Sequence, residues 1–290
     1  MKRNRSLTSS AGELHDGGQE KLEKIEIELL LQGLYSWCGY DFRNYSYNSI
    51  RRRIWHRIHA EKLTTISGLL EKVLHDTNCL KRLIADFSIN VTEMFRDPLF
   101  FLDFRDKVIP VLRTYPSIRI WHAGCSTGEE VYSMAILLQE EGLYDKVKIY
   151  ATDMNADVLR KAKSGLFPLE KMRQYTSNYI HSGGKEAFSD YYNVTGGGVK
   201  FHSYLTKNVV FAQHNLVTDR SFNEFHVILC RNVLIYFNKP LQNKVHELFY
   251  ESLGMFGVLA LGDKESIAFT DKADCYEPAS MNQKLYKKIK

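Results

Sequence analysis

The chain has 290 residues, 44% hydrophobic and 25% charged, the composition of an ordinary soluble globular protein with room for one large domain or two modest ones. A core of normal size can form without a covalent staple, and a net charge of +5 is too mild to make a nucleic-acid binder by itself. No apolar run is long enough to span a bilayer, and five cysteines, an odd count without knuckle or redox spacing, argue against a disulfide framework and fit a reducing cytoplasm.

The first segment, 1–19, is polar, contains Gly and Ser, and lacks an apolar h-region, so it is read as a mobile tail and not as a secretory signal. Residues 20–88 carry apolar residues at helical spacing, as in Ile25, Leu29, Leu30 and Leu34, and again in Leu69, Leu70, Val73 and Leu74. They predict a small all-helical domain. Within it the stretch 48–59 places Ile50, Ile54 and Ile58 on one stripe, with Arg52, Arg53, His56 and His59 largely opposite. An exposed basic face of this kind attracts an acidic partner and speeds encounter. A merely solvated face, or one that binds nucleic acid, are the alternatives.

Residues 89–290 are read as an α/β domain. Short apolar runs at 118–121, 147–150, 209–212, 227–230 and 258–261 predict strands, and 129–139, 157–163 and 241–252 predict helices. Strands alternating with helices imply a doubly wound, mainly parallel sheet. The alternation breaks over 168–208, which is Tyr-rich and carries Gly183, Gly184 and Gly196 to Gly198. That is too long for a structureless loop, so it is expected to be a small β-rich insertion.

The most informative stretch is the strand at 118–121, the turn Ala123-Gly124-Cys125-Ser126-Thr127-Gly128, and the helix that opens with Glu129-Glu130. Small residues let a backbone turn sharply beside a ligand. Asp153 closes the next strand, in Ala151-Thr152-Asp153, where an acid can accept both ribose hydroxyls of a nucleoside. Capping the following helix is its structural alternative. The turn is neither G-x-G-x-x-G nor G-x-x-x-x-G-K-[ST], which disfavours a dinucleotide and a triphosphate. A nucleoside without phosphates, such as S-adenosylmethionine, fits.

The chain resembles the CheR-type chemoreceptor glutamate O-methyltransferases. Four blocks carry the resemblance: Asn90-Val91-Thr92-Glu93-Met94-Phe95-Arg96-Asp97 with Phe100 and Phe101, the 121–133 turn and helix, Ala151-Thr152-Asp153, and Cys230-Arg231-Asn232-Val233-Leu234-Ile235-Tyr236-Phe237. It implies a Rossmann-like class I methyltransferase fold that binds S-adenosylmethionine and needs no metal. The cofactor contacts it implies are Asn90, Thr92, Arg96, Glu130, Asp153, Asn215 with Leu216, and Arg231 with Asn232. Glu129 could take the place of Glu130, and only the resemblance selects between them. Its acidic helical receptor substrate would dock on the basic face around Arg52, Arg53 and His56. In some members the insertion tethers a receptor C-terminal peptide. Two departures stand out: Val131 replaces a common Pro, and Gly262-Asp263-Lys264-Glu265-Ser266 replaces a Ser/His-rich segment, so no role is carried onto that loop.

The chemistry asks for little machinery. A glutamate acceptor, with a reference pKa of about 4.3, is already anionic at neutral pH, so holding the reacting groups in line is the main task. Arg96 is the residue expected to grip a carboxylate, that of the acceptor or that of the cofactor. Tyr236 is the second catalytic candidate, with a core aromatic as its alternative. Two other readings remain. A nucleic-acid methyltransferase is disfavoured because Arg231-Asn232-Val233-Leu234 is not the Pro-Pro-aromatic type. A non-catalytic regulator is disfavoured by four intact blocks.

Overall fold

A computed structural model of the chain describes residues 10–88, 91–268, 270–280 and 282–290. The chain divides into two units, Met1–Ile89 and Asn90–Lys290.

The first unit is formed by the apolar stripes of four helices, α1 (Ser10–Cys38), α2 (Tyr47–Ala60), α3 (Ile66–His75) and α4 (Thr77–Phe87). Leu30 and Leu34 of α1, Ile50, Ile54 and Ile58 of α2, Leu69 and Val73 of α3, and Leu83 and Phe87 of α4 are all buried. Side-chain caps start the last two helices: Thr65 accepts the Gly68 N–H at 3.0 Å, and Asp76 accepts that of Asn78 at 2.8 Å.

Two expectations are corrected here. The segment 1–19 is helical from Ser10, where α1 begins, and was not read as a helix there. Once the buried part of a helix is nucleated, each added residue gains a hydrogen bond, and a polar sequence does not forbid that; residues 1–9 lie outside the described residues. The basic face of α2 is also smaller than expected. Arg52, His56 and His59 are exposed, but Arg53 is half-buried and donates to the Asp86 carbonyl at 2.5 Å. Arg57, on the buried side, pairs with Asp86 at 2.7 Å and Glu61 at 3.2 Å.

The second unit opens with α5 (Pro98–Asp103), a π-helical turn over Phe104–Val108, and α6 (Ile109–Leu112). The α/β alternation follows: β1 (Ile118–Ala123), α7 (Glu129–Glu140), β2 (Val147–Asp153) and α8 (Ala156–Ser164). The insertion holds β3 (Leu166–Phe167), α9 (Met172–His181), β4 (Tyr192–Thr195) and β5 (Gly198–Phe201). Then come β6 (Val209–Gln213), β7 (Phe225–Cys230), α10 (Lys239–Ser252), β8 (Leu253–Leu261), β9 (Tyr276–Ser280) and β10 (Leu285–Lys288).

The main sheet has the order β6-β2-β1-β7-β8-β10-β9. Its first five strands are parallel and β10 runs antiparallel to both neighbours. Strands β1 and β7 lie inside it and are buried along nearly their whole length, and β7 accordingly carries the apolar run Val227 to Cys230. The insertion is a three-stranded antiparallel sheet, β3-β5-β4, with α9 beside it. Gly198 is required there: its φ is +129°, and a Cβ would stand 2.5 Å from the Phe167 carbonyl.

One buried carboxylate fastens the insertion to α7. Glu140, with a side chain 1% exposed, pairs with Arg105 and accepts from the hydroxyls of Tyr179 and Tyr191 and from the Lys185 N–H. Removing one partner of a buried pair leaves the other charge uncompensated. Glu140→Ala is therefore expected to cost about 3 kcal/mol in denaturant unfolding; a loss under about 1 kcal/mol would mean that this anchor does not hold the insertion.

Candidate active site

Ligands of open α/β sheets sit outside the carboxyl ends of the strands, where the strand order reverses. Here it reverses between β1 and β7, since β1 leads to β2 and β6 on one side and β7 to β8 on the other. The turn after β1 is drawn against the end of β2, with the Gly124 and Cys125 N–H groups both donating to the Thr152 carbonyl, at 2.9 and 2.8 Å. Gly124 has a φ of +81°, and a Cβ there would lie 2.7 Å from Cγ2 of Val233. The glycine thus lets the turns after β1 and β7 touch.

Asp153 ends β2 with a buried carboxylate. Oδ2 accepts the Ser126 N–H at 2.9 Å and Oδ1 that of Asn155 at 3.0 Å. Burial pushes its pKa up, and these backbone donors oppose the shift. The helix-capping role falls instead to Asn155, whose side chain accepts the Asp157 N–H at 2.9 Å at the start of α8. With Met154 as a third backbone donor, the carboxylate still keeps acceptor capacity, so Asp153 fits a ribose hydroxyl placed at the end of β2. Just past β6, Asn215 is half-buried and Leu216 buried; Asn215 Oδ1 accepts the Val217 N–H at 3.0 Å, and the next residue back, His214, donates its N–H to the Asp153 carbonyl at 3.1 Å.

Glu130 and Arg231 meet each other. Arg231, with a side chain 2% exposed, donates from Nη1 to Glu130 at 2.8 Å and from Nη2 to Asp97 at 2.7 Å, and its guanidinium lies 3.9 Å over the Phe100 ring. His122 Nδ1 stands 3.1 Å from the other Glu130 oxygen. Burial alone would raise the Glu130 pKa, but the Arg231 charge and His122 more than reverse this and hold it at about 2. Glu129, its neighbour, is buried on another side, where Thr127 Oγ1 donates to it at 2.7 Å; burial raises its pKa.

Through Asp97 the same arginine holds the segment that carries Arg96. Phe95 and Asp97 both have left-handed backbones, φ +50° and +57°, uncommon for side-chain-bearing residues. Phe95 is buried, packs on Phe101 and Tyr179, and donates its N–H to Ser133 Oγ at 2.8 Å. Between these fixed neighbours Arg96 is half-buried, with Nη1 donating to the Val91 carbonyl at 3.2 Å. Thr92 is half-buried in the same segment; Asn90 lies outside the described residues.

After β7 come Asn232, left-handed at φ +61°, and Tyr236, half-buried at the end of a short 3-10 turn over Leu234–Tyr236. The turns after β1, β2, β6 and β7 and the Arg96 segment thus bring Asp153, Glu130, Arg231 and the Arg96 backbone together at one edge of the sheet. Three residues that sequence reasoning did not single out hold them there: Asp97, Ser133 and Asn155. Only Asn155 had a readable signal, an Asn before the first residue of a helix.

Residues 90–283 match the family described as CheR methyltransferase, SAM binding domain, and residues 25–88 match its all-alpha domain. A provisionally named methyltransferase, Cher3, of Pseudomonas putida is 49% identical over 269 residues, which span 93% of this chain and 98% of that protein. A chemotaxis protein methyltransferase of Listeria monocytogenes is 31% identical over 86% of this chain and 91% of that protein. One from Vibrio cholerae is 31% identical over 89% and 94%. Fold, site and relatives together define a class I S-adenosylmethionine-dependent methyltransferase. Within that class the chain belongs to the CheR methyltransferase family.

The depressed pKa of Glu130 has a pH signature. Its ionised form stabilises the fold fully above the ordinary value of 4.5, and that contribution is lost as the pH falls toward about 2. Between about pH 5 and pH 3 the unfolding free energy of the native chain should fall more steeply than that of Glu130→Gln. Equal slopes would contradict the pairing with Arg231.

Proposed function

We propose that this chain transfers the methyl group of S-adenosylmethionine to glutamate side chains of a chemoreceptor or receptor-like signalling protein, giving glutamate methyl esters. The observation that carries this reading is the place of Arg96, a half-buried guanidinium held between two left-handed residues in a segment tied through Asp97 to the sheet edge that bears Asp153. A guanidinium so fixed suits bidentate orientation of a carboxylate acceptor.

When bound, S-adenosylmethionine supplies a methyl group already activated on a sulfonium. An ionised glutamate has no proton to remove, so the side chains bind and orient. Asp153 accepts the ribose hydroxyls, Asn215 and Leu216 hold and cover the base, Thr92 lines the site, and Asn90 is a cofactor contact by resemblance alone. Arg96 grips the acceptor carboxylate and Tyr236 positions it. Glu130 and Arg231 act on the site by holding its turns together, and Asn232 flanks the transfer end.

The receptor's acidic helix docks on the exposed remainder of the α2 face, Arg52, His56 and His59, with Arg53 contributing less because of its bond to Asp86. Strand β4, at the edge of the small sheet, offers backbone groups to an extended receptor C-terminal peptide. Among the described residues no helix is long and apolar enough to cross a membrane, and the cytoplasm is the proposed place of action.

Incubation with labelled S-adenosylmethionine and receptor fragments should give base-labile label; stable label, or none with any acidic helical substrate, would sink the reading. Arg96→Ala should lower kcat/KM about a hundredfold, and Arg96→Lys should not restore it, because an ammonium lacks the bidentate fork. Asp153→Asn should weaken S-adenosylhomocysteine binding about tenfold or more in calorimetry; unchanged affinity would remove Asp153 from the ribose.

A further inference from the structure

Glu265 sits in the turn after β8, in the segment whose sequence departs from the family pattern, and its carboxylate is buried beneath the loop that follows β7. Oε2 accepts the N–H groups of Asn232 at 2.9 Å and Gly262 at 2.6 Å. Oε1 accepts those of Val233 at 2.8 Å and Leu234 at 2.7 Å, and more distantly that of Ile235 at 3.3 Å. These donors are all backbone. Among the described residues no salt bridge to Glu265 is formed; burial pushes its pKa up, and the backbone donors oppose the shift.

Two features show that the arrangement is built tightly. Asn232 adopts φ +61°, which turns the successive N–H groups of 232–235 toward one point. A Cβ on Gly262 would stand 2.7 Å from the Asn232 nitrogen and 2.8 Å from Glu265 Oε2, so the turns after β7 and β8 press together backbone against backbone. The first N–H groups of the short 3-10 turn over Leu234–Tyr236 have no partner within the turn, as at every helical start. A carboxylate from another strand end caps it.

We propose that Glu265 is a positioning residue for the methyl transfer: by gathering the N–H groups of Asn232 to Ile235 it fixes the loop between Arg231 and Tyr236 against the transfer end of the site. The inference rests on the methyltransferase reading above. On that reading the base lies at β6 and the ribose at the end of β2, and the strand order then leaves β1 and β7 for the reactive end, beside the loop after β7. Loosening that loop therefore disturbs alignment more than binding, and small misplacements of reacting groups are costly. Val233, gripped by Glu265 through its N–H and packed against Gly124, carries the constraint to the turn after β1.

The test is Glu265→Gln, which keeps the size of the side chain but replaces one acceptor oxygen by an NH2 group that points donors at donors. Folding is checked by thermal melting, and assays run well below the transition. S-adenosylhomocysteine affinity should stay within about threefold of the native value, while kcat with a receptor fragment falls at least about tenfold. Backbone amide exchange at Val233 and Leu234 should speed up about tenfold or more. Glu265→Asp, which keeps the charge on a shorter arm, should show the same split with a smaller loss, and it carries the test should the Gln variant not fold. A kcat within twofold of native, unchanged amide exchange, or equal losses in kcat and affinity would each overturn the proposal. A native chain that methylates no receptor fragment would sink the glutamate reading alone, because the exchange readout does not depend on it.

Discussion

The guanidinium of Arg231 joins three turns through charge. It leaves the end of β7, reaches Glu130 at the start of α7 and Asp97 ahead of α5, and lies flat on Phe100. A cation buried this completely is tolerable only with its partners in place, since breaking one leaves an uncompensated charge. Glu130 is in turn kept ionised by the arginine and His122. The pairing thus brings the turns after β1 and β7 and the Arg96 segment to a single edge of the sheet.

Around that latch the site is built from backbone more than from side chains. Gly124 and Val233 bring two turns into contact, the Thr152 carbonyl gathers the N–H groups of the first turn, and Glu265 gathers those of the second. Left-handed residues recur at these places, at Phe95, Asp97, Ser126 and Asn232. Strain of this kind persists only where surrounding packing over-determines it, and it clusters where geometry matters for function. A reaction that needs alignment and no proton transfer is well served by such a scaffold.

How much of this could be read from the sequence follows from the range of each interaction. Strand β7 was legible because burial on both faces writes the apolar run Val227 to Cys230, while β1 and β2 were legible as short apolar stretches interrupted by Arg119 and Lys148. Strands β9 and β10 were not, since Pro278, Lys287 and Lys288 disguise an antiparallel edge. The segment 98–112 was not read as helical, because its π-turn breaks the 3.6-residue period. The position of Asp153 at the end of β2 was legible in the sequence. The partnership of Glu130 with Arg231 was not, because the two are 101 positions apart and each alone looks like a ligand contact. Glu265 was invisible for a different reason: its partners are peptide N–H groups, which leave no mark in a sequence.

The account divides the residues that the family resemblance groups together. In the proposed function Asp153 takes the ribose, while Arg231 and Glu130 pair with each other. A crystal structure of the chain with S-adenosylhomocysteine tests that division most directly. The account predicts the ribose hydroxyls on the Asp153 carboxylate, with Arg231 still paired to Glu130 and Asp97 and not touching the ligand. An Arg231 swung away from Glu130 onto the ligand's carboxylate, or a ribose placed away from Asp153, would contradict it.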